Sequence, residues 1–227
     1  MKILIYDKLQ DASGVPDAIL TPALSDIYTA DVTFTATFTD VEKIDCIGIG
    51  YTDATEVEVY SYDDDDTQTI TISKDAPYHN GLYALTEMNS DVFIITHDGT
   101  FIGRVGLGEY RTLGTAPSKE IGFYTTEKSR ETLSGQVIPG AGGYSGRRFN
   151  ADVRYKIDED VYDDIESAYA GQISKGFPYF LNLTEELHKL PENMRYFYAN
   201  TDKPLSLLQS STYDFLYSYK FKFFERF

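Results

Sequence analysis

A glycine-rich segment at residues 139–146 is the first place where this sequence suggests chemistry, because loops of this composition can wrap phosphate groups. A phosphate-binding loop ends in Gly-Lys-Ser or Gly-Lys-Thr and opens a helix whose amides point at the phosphate. Here the segment is followed by Arg147, Arg148 and a predicted strand. Residues 103–108, with three glycines, also have no predicted helix behind them. We therefore predict no nucleotide cofactor and interpret residues 139–146 as a surface or interface loop.

Four consecutive aspartates at residues 63–66 could collect the oxygen ligands that Ca²⁺ prefers. The run lacks the glycine and the distal glutamate of an EF-hand loop, and neighbouring side chains on an extended chain point to opposite sides. We predict a solvated turn between two strands, with calcium binding as the alternative. The histidines at 79, 97 and 188 are far apart in the sequence, and a single cysteine, Cys46, cannot form a thiolate-rich site. We predict no metal centre and no other cofactor.

Catalytic groups are also hard to assemble from this sequence. It contains no Gly-x-Ser-x-Gly nucleophile elbow, and Ser145 belongs to the glycine-rich loop. Two carboxylates could hydrolyse a glycosidic bond even when they are distant in the chain, so a glycan-cleaving enzyme stays an alternative. The leading expectation is a protein without enzymatic activity.

Charge separates the two halves of the chain. The 227 residues carry a formal net charge of −16. Residues 1–100 hold 4 basic and 19 acidic residues, a net of −15, whereas residues 101–227 hold 16 and 17, a net of −1. An acidic surface repels phosphates, so we predict neither nucleic-acid binding nor attachment to an anionic membrane. No apolar run approaches the ~20 residues of a membrane span, and the first residues are too short an apolar stretch for a signal peptide. We expect a soluble protein made in the cytosol.

The first half reads as short strands separated by turn residues, after an irregular leader at residues 6–28. Apolar residues alternate with threonine or carboxylates, as expected for half-buried strands. The predicted strands cover residues 32–38, 44–50, 56–62, 67–72, 91–96 and 101–105. Asp98 and Gly99 lie between the last two, which predicts a hairpin there. We predict an antiparallel β-sandwich of the jelly-roll or lectin-like kind for residues 1–115.

The second half, residues 116–227, is predicted to be a β-barrel-like domain with one flanking helix. Strands are predicted at residues 131–138, 147–156, 177–183 and 194–199. The helix is placed at residues 159–170, where Asp158 is a plausible N-cap and an apolar stripe should pack on a sheet. That stripe consists of Val161, Ile165, Ala168 and Tyr169. Aromatic residues alternate through residues 213–227, which predicts a final strand in the core or at an interface.

Residues 118–227 resemble a structural protein of tailed bacteriophages, of the tail-tube or distal-tail kind. The similarity is carried by residues 122–126, 133–144, 152–156 and 207–221, and by the order of strands, glycine loop, strand, helix and strands. The first half resembles the jelly-roll or lectin-like domains that such proteins display outward. The resemblance implies a β-barrel-like sheet flanked by a helix, in a protein that forms rings.

The function implied by this resemblance is that of a virion component in the tail or baseplate, assembled in the host cytoplasm. Its partners would be copies of itself and neighbouring tail proteins. Ring contacts are head-to-tail, so one chain must offer two different surfaces. We assign those surfaces to the glycine loop and the terminal aromatic strand, through Gly140, Gly142, Gly143, Tyr144, Arg147, Tyr217, Tyr219 and Phe221. The alternative is a carbohydrate-binding module whose first domain contacts a host surface glycan.

Overall fold

The protein is mainly β, with two large antiparallel sheets and very little helix. The computed structural model describes residues 2–4, 6–21, 26–72, 80–112, 115–126, 130–131, 137–138, 144–156, 179–182, 196–201, 207–209 and 216–225. The two short helical pieces described are a 3-10 turn at Lys8–Asp11 and α1 at Asp17–Leu20. This overall composition confirms the predicted fold class, which is mainly β.

Five strands from the first half form one sheet. They are β2 (Thr33–Thr52), β3 (Glu56–Ser61), β4 (Asp66–Thr71), β5 (Asn80–His97) and β6 (Ile102–Gly108), in the order β4-β3-β5-β2-β6. Alternation determines which face is buried: Val57 and Val59 are buried, while Glu56 and Glu58 between them are exposed. The predicted strands at residues 56–62 and 67–72 are confirmed as β3 and β4.

The strands predicted separately at residues 32–38 and 44–50 are one strand, β2. The prediction of two strands is therefore wrong. Its ladder with β5 shifts register between Thr37 and Glu42 and again between Ile44 and Cys46. Such bulges leave extra residues unpaired while the strand continues. They lie in and beside the stretch that separates the two predicted strands.

The hairpin predicted at Asp98 and Gly99 is also wrong, because β5 and β6 both pair with β2. Thr96 of β5 lies opposite Thr33, at the start of β2, and Ile102 of β6 lies opposite Thr52, at its end. A straight strand of this length would span about 60 Å, whereas six residue steps from Thr96 to Ile102 reach at most about 20 Å. We conclude that β2 bends strongly at its bulges and brings its two ends near each other.

The second sheet has eight strands. They are β1 (Lys2–Leu4), β7 (Tyr110–Thr112), β8 (Thr115–Thr126), β11 (Tyr144–Lys156), β12 (Tyr179–Asn182), β13 (Tyr196–Thr201), β14 (Leu207–Gln209) and β15 (Leu216–Glu225). The order is β7-β1-β12-β13-β15-β11-β8, and β14 pairs with β15. The predicted strand at 147–156 and the predicted strand pair at 177–183 and 194–199 are confirmed as β11, β12 and β13. The predicted helix at 159–170 lies outside the described residues.

The strand predicted at residues 131–138 is instead a pair of two-residue strands. β9 (Arg130–Glu131) and β10 (Val137–Ile138) pair antiparallel with each other. Glycine at 135 lies between them in the sequence, and glycine inside a strand pattern weakens the strand. The prediction of a single strand there is wrong.

The first strand of the chain belongs to the sheet that is formed mainly by the second half. Strand β1 pairs with β12 and with β7, so residues near the start belong to the sheet built mostly from residues after 109. Among the described residues, buried apolar side chains form two clusters. The larger lies on the five-stranded sheet and includes Leu9 and Ile19 from the segment after β1. The smaller joins the sheets and contains Leu4, Cys46, Leu82 and Phe180.

Candidate functional site

The predicted interface residues fall on two neighbouring strands where they are described. Tyr144 and Arg147 lie in β11, and the aromatic residues of the terminal strand lie in β15. The glycines at 140, 142 and 143 lie outside the described residues. The structure therefore brings the described members of the predicted interface into one sheet, through the long β11–β15 ladder.

Register places the aromatic positions of β15 in a row. Tyr217 is opposite Tyr155, Tyr219 opposite Val153 and Phe221 opposite Ala151. Directly opposite positions of an antiparallel pair belong to the same face of the sheet. Five such positions thus share one face, which we call the aromatic row: Val153, Tyr155, Tyr217, Tyr219 and Phe221.

Strand β15 lies inside its sheet. β11 borders one side from Leu216 to Phe224. The other side is bordered by β14 at residues 217–219 and by β13 at residues 223–225. Because its backbone already pairs on both sides over most of its length, β15 can contact another molecule only through a face of the sheet.

The open edges of this sheet are unlike each other. Within the described ranges, β8 pairs only with β11, and β7 pairs only with β1. β8 has twelve residues and β7 has three. Pro117 and Lys119 in β8 are residue types that discourage pairing at an edge, whereas residues 121–126 carry no charge. The second half of β8 is thus the longer uncharged edge of this sheet.

A buried ion pair fixes the segment after β1 onto the five-stranded sheet. The guanidinium of Arg104 donates to the carboxylate of Asp7 and to the backbone carbonyl of Ile19. Asp7 Oδ1 also accepts hydrogen bonds of 3.1 Å from the backbone amides of Leu9 and Leu107. Asp7 and Arg104 are only 2% and 3% exposed. Every group in this set is used to connect chain segments, so we interpret it as structural.

The pKa of Asp7 reflects competing effects of that burial. Loss of solvent raises the pKa above its ordinary value, while the Arg104 charge and the amide hydrogen bonds lower it. The pair could not be predicted from the sequence, because its members are 97 positions apart. The available signal was that Arg104 is the only arginine before residue 111.

At one end of the five-stranded sheet, the β2–β3 connection and the β5–β6 connection are joined by hydrogen bonds to two aspartates. Asp98 Oδ1 accepts the backbone amides of Thr55 and Glu56 at 2.7 and 2.9 Å, and Oδ2 accepts the Thr55 hydroxyl. These hydrogen bonds keep the pKa of Asp98 below its ordinary value; the Thr55 hydroxyl contributes most. The carboxylate that follows β5 thereby holds the connection between β2 and β3.

Asp53 makes the reciprocal contacts. Its Oδ1 accepts the backbone amides of Thr100 and Phe101 at 2.8 and 3.1 Å, and its Oδ2 accepts the Thr100 hydroxyl. Partial loss of solvent would raise the pKa of Asp53, but these hydrogen bonds outweigh it and lower the pKa. We call residues 53–56 with residues 98–101 the aspartate clasp.

Gly99 is required where the two sides of the clasp meet. A Cβ at this position would stand 2.6 Å from the backbone nitrogen of Ala54 and 2.8 Å from its Cα. The Asp-Gly pair that resembled a hairpin signal therefore serves a different purpose. Its aspartate accepts hydrogen bonds from the neighbouring connection, and its glycine permits the close approach.

His97 is the last residue of β5 and immediately precedes the clasp residue Asp98. It is 4% exposed, and neither ring nitrogen has a hydrogen-bond partner among the described residues. Burial lowers the pKa of the imidazole, while the charges of Asp53 and Asp98 and the nearby backbone at Asp31 and Gly99 oppose that shift. His97 is thus a buried, neutral imidazole beside two carboxylates.

The aspartate run at residues 63–66 lies at the turn between β3 and β4, as predicted. Its carboxylates accept hydrogen bonds from nearby groups: Asp63 from the backbone amide of Asp91 at 3.2 Å, and Asp64 from that of Asn89 at 2.6 Å. Asp65 has a φ of 48°, and its side chain accepts the Tyr60 hydroxyl. The run fastens the turn to β5.

Across the described residues, no group of three or more histidine, cysteine, aspartate or glutamate side chains is arranged to hold a metal ion. None of the helices in that part of the chain is long and apolar enough to cross a membrane. Comparisons with models of protein families, with curated proteins and with solved structures find no match for this chain.

Proposed function

We propose that this chain is a non-enzymatic structural component of a phage virion, located in the tail or baseplate, where copies of it form a ring. In this proposal residues 1–115 form a sandwich of the jelly-roll or lectin-like kind, apart from β1 and β7, which belong to the eight-stranded sheet. Residues 116–227 are a β-barrel-like oligomerisation domain, with the helix at 159–170 on one side. The starting point is the resemblance of residues 118–227 to tail structural proteins.

The supporting observation is the pair of unlike edges on the eight-stranded sheet. A ring is closed by heterologous contacts, in which one surface of each copy meets a different surface of the next. Residues 121–126 of β8 offer an uncharged edge, and β7 ends the same sheet on the opposite side. An unpaired edge adds a strand from another chain readily, because its amides and carbonyls need partners.

The aromatic row offers the second kind of surface for neighbouring copies. A row of tyrosine and phenylalanine positions across β11 and β15 has the residue types that are enriched in subunit interfaces. In the proposed ring the aromatic row provides apolar contact area between copies. The edge of β8 determines the head-to-tail orientation of one copy relative to the next.

The test is the mass of the purified protein by size-exclusion chromatography with light scattering, combined with negative-stain images. We expect closed rings for the unsubstituted chain. Thr125→Lys places a charge on the open half of β8 and should reduce the ring population at least tenfold. Thr69→Lys, on the exposed edge strand β4, is the matched control and should leave the rings intact. A strictly monomeric protein at every concentration, also in the presence of tail proteins, overturns the proposal.

A further inference from the structure

Six hydrogen bonds in the aspartate clasp depend on two ionised carboxylates. Asp98 and Asp53 each accept two backbone amides and one threonine hydroxyl from the opposite connection. Hydrogen bonds to a charged acceptor are about twice as strong as those between neutral groups. The contact between the connections at 53–56 and 98–101 therefore depends on the charge state of these two residues.

Neither ring nitrogen of His97 has a hydrogen-bond partner among the described residues, although the backbone at Asp31 and Gly99 favours the charged form of the imidazole. The ring is also buried. A proton on this ring creates a buried cation with two unsatisfied donors, which is costly unless the ring reaches an acceptor or water. The carboxylates whose charges act on the ring are those of Asp53 and Asp98, which already accept the clasp amides.

We propose that the aspartate clasp is an acid-operated latch, in which proton uptake by His97 draws Asp53 or Asp98 away from the backbone amides and separates the two connections. No bond is made or broken beyond transfer of a proton from solvent to the imidazole. Ala54 and Ile102, both buried beside these connections, would then be exposed to solvent. The latch does not depend on the proposed virion role.

The groups that surround His97 explain why the clasp is expected to open when the pH falls. On β3 the residue opposite His97 is the apolar Val57, and the backbone carbonyl of Val32 accepts the His97 amide at 2.9 Å. The titratable groups that act on the ring are Asp53 and Asp98.

The sign of the pH dependence follows from the pKa shifts. The pKa of His97 is lower in the folded protein than its ordinary 6.5, so the unfolded or opened form binds more protons below that pH. The contribution of neutral His97 to the stability of the closed clasp is fully present above pH 6.5. It is lost as the pH falls towards the pKa of His97 in the folded protein. The lowered pKa values of Asp53 and Asp98 add a second loss at lower pH, below their ordinary 3.8.

The test is hydrogen–deuterium exchange of the clasp amides, with rates corrected for the intrinsic pH dependence of exchange. A single imidazole can change an opening equilibrium by at most about tenfold per pH unit. Between pH 7.5 and 5.5 we expect protection of the amides at residues 55, 56, 100 and 101 to fall up to about tenfold. Protection at Val57 and Val59 in β3 should stay constant over this range.

His97→Phe removes the titrating group, and the clasp should then keep the same protection at both pH values. If this variant does not fold, His97→Gln provides the same comparison with a polar, non-titrating side chain. His79→Gln and His188→Gln are the matched controls and should retain the pH response of the unsubstituted chain. Constant protection in the unsubstituted chain, or an unchanged response after replacing His97, overturns the proposal.

Discussion

The ring of Phe180 on β12 occupies the space above Gly48 on β2, where any other residue would place its side chain. A Cβ at position 48 would stand 2.7 Å from Cε2 of Phe180 and closer still to Cγ and Cδ2. Phe180 is 2% exposed and packs with Leu4, Cys46 and Leu82. This glycine lets a ring from the eight-stranded sheet press directly onto the backbone of the five-stranded sheet.

Gly48→Ala should therefore destabilise the protein. Overpacking a buried contact typically costs about 1–3 kcal/mol, and the clash is with a large ring at the junction of two sheets. The measurement is the free energy of unfolding in urea. Phe180→Leu in the same chain should recover part of the loss, because the smaller side chain leaves room for the methyl group. Additive losses in the double variant would contradict the contact.

Arg104→Met should destabilise far more than Lys43→Met, although each removes one partner of an ion pair. Asp7 and Arg104 have side chains 3% and 4% exposed, whereas the Lys43–Glu87 pair, at 2.7 Å, has side chains 43% and 54% exposed. Removing one partner of a buried pair costs about 3–5 kcal/mol, since it leaves an uncompensated charge. A surface pair contributes about 0–1 kcal/mol.

Urea unfolding of both variants at neutral pH provides the comparison. Asp7→Asn tests the other partner and should also destabilise, because Arg104 then lacks its counter-charge. Similar small losses for Arg104→Met and Lys43→Met would show that the segment after β1 is held by its apolar contacts alone.

Local patterns in the sequence predicted most of the strands, but they did not predict that β2 is continuous, that β9 and β10 are separate, or how the strands pair. The alternation at Val57 and Val59 correctly predicted β3, because side-chain period and burial are set within a few residues. The Asp98–Gly99 signal was interpreted as a hairpin, because sequence does not show that a bent β2 lies between β5 and β6. Which edges meet depends on bulges and on residues far away in the chain.

The candidate sites also divide into features that a local pattern predicts and contacts between residues far apart in the chain. Alternation placed Tyr217 and Tyr219 together on a strand that the structure confirms. The clasp and the buried pair join residues more than forty positions apart, such as Asp53 with Thr100, and no local pattern predicts such contacts. Their only trace in the sequence was a carboxylate next to a glycine and one isolated arginine.

The thiol of Cys46 should be unreactive in the folded protein. It is fully buried, and its Sγ donates to the carbonyl of Gly108 at 3.4 Å. Burial, with smaller contributions from Asp45, Asp7 and Glu109, raises the pKa of this thiol well above its ordinary value. Since the thiolate is the reactive form, a thiol-directed reagent should label the folded chain at least a hundredfold more slowly than the chain in concentrated urea.

The rate of labelling at neutral pH is the measurement, with Cys46→Ala as the blank. Gly48→Ala should speed labelling, because the thiol belongs to the same cluster as Phe180. Equal rates in buffer and in urea would contradict the burial of Cys46.

Tyr219→Ser tests whether the aromatic row is an interface between copies. Tyr219 lies opposite Val153 at the middle of the row, and central aromatic residues of an interface typically contribute about 2 kcal/mol or more. That energy corresponds to roughly 30-fold weaker association.

Ser218→Ala, at the neighbouring position of the same strand and on the other face, is the matched control. We expect Tyr219→Ser to shift the mass measured by light scattering towards the monomer while the urea midpoint of the monomer stays unchanged, and Ser218→Ala to change neither. Rings that persist in Tyr219→Ser, or a monomer that unfolds, would instead assign the row to the core of each copy.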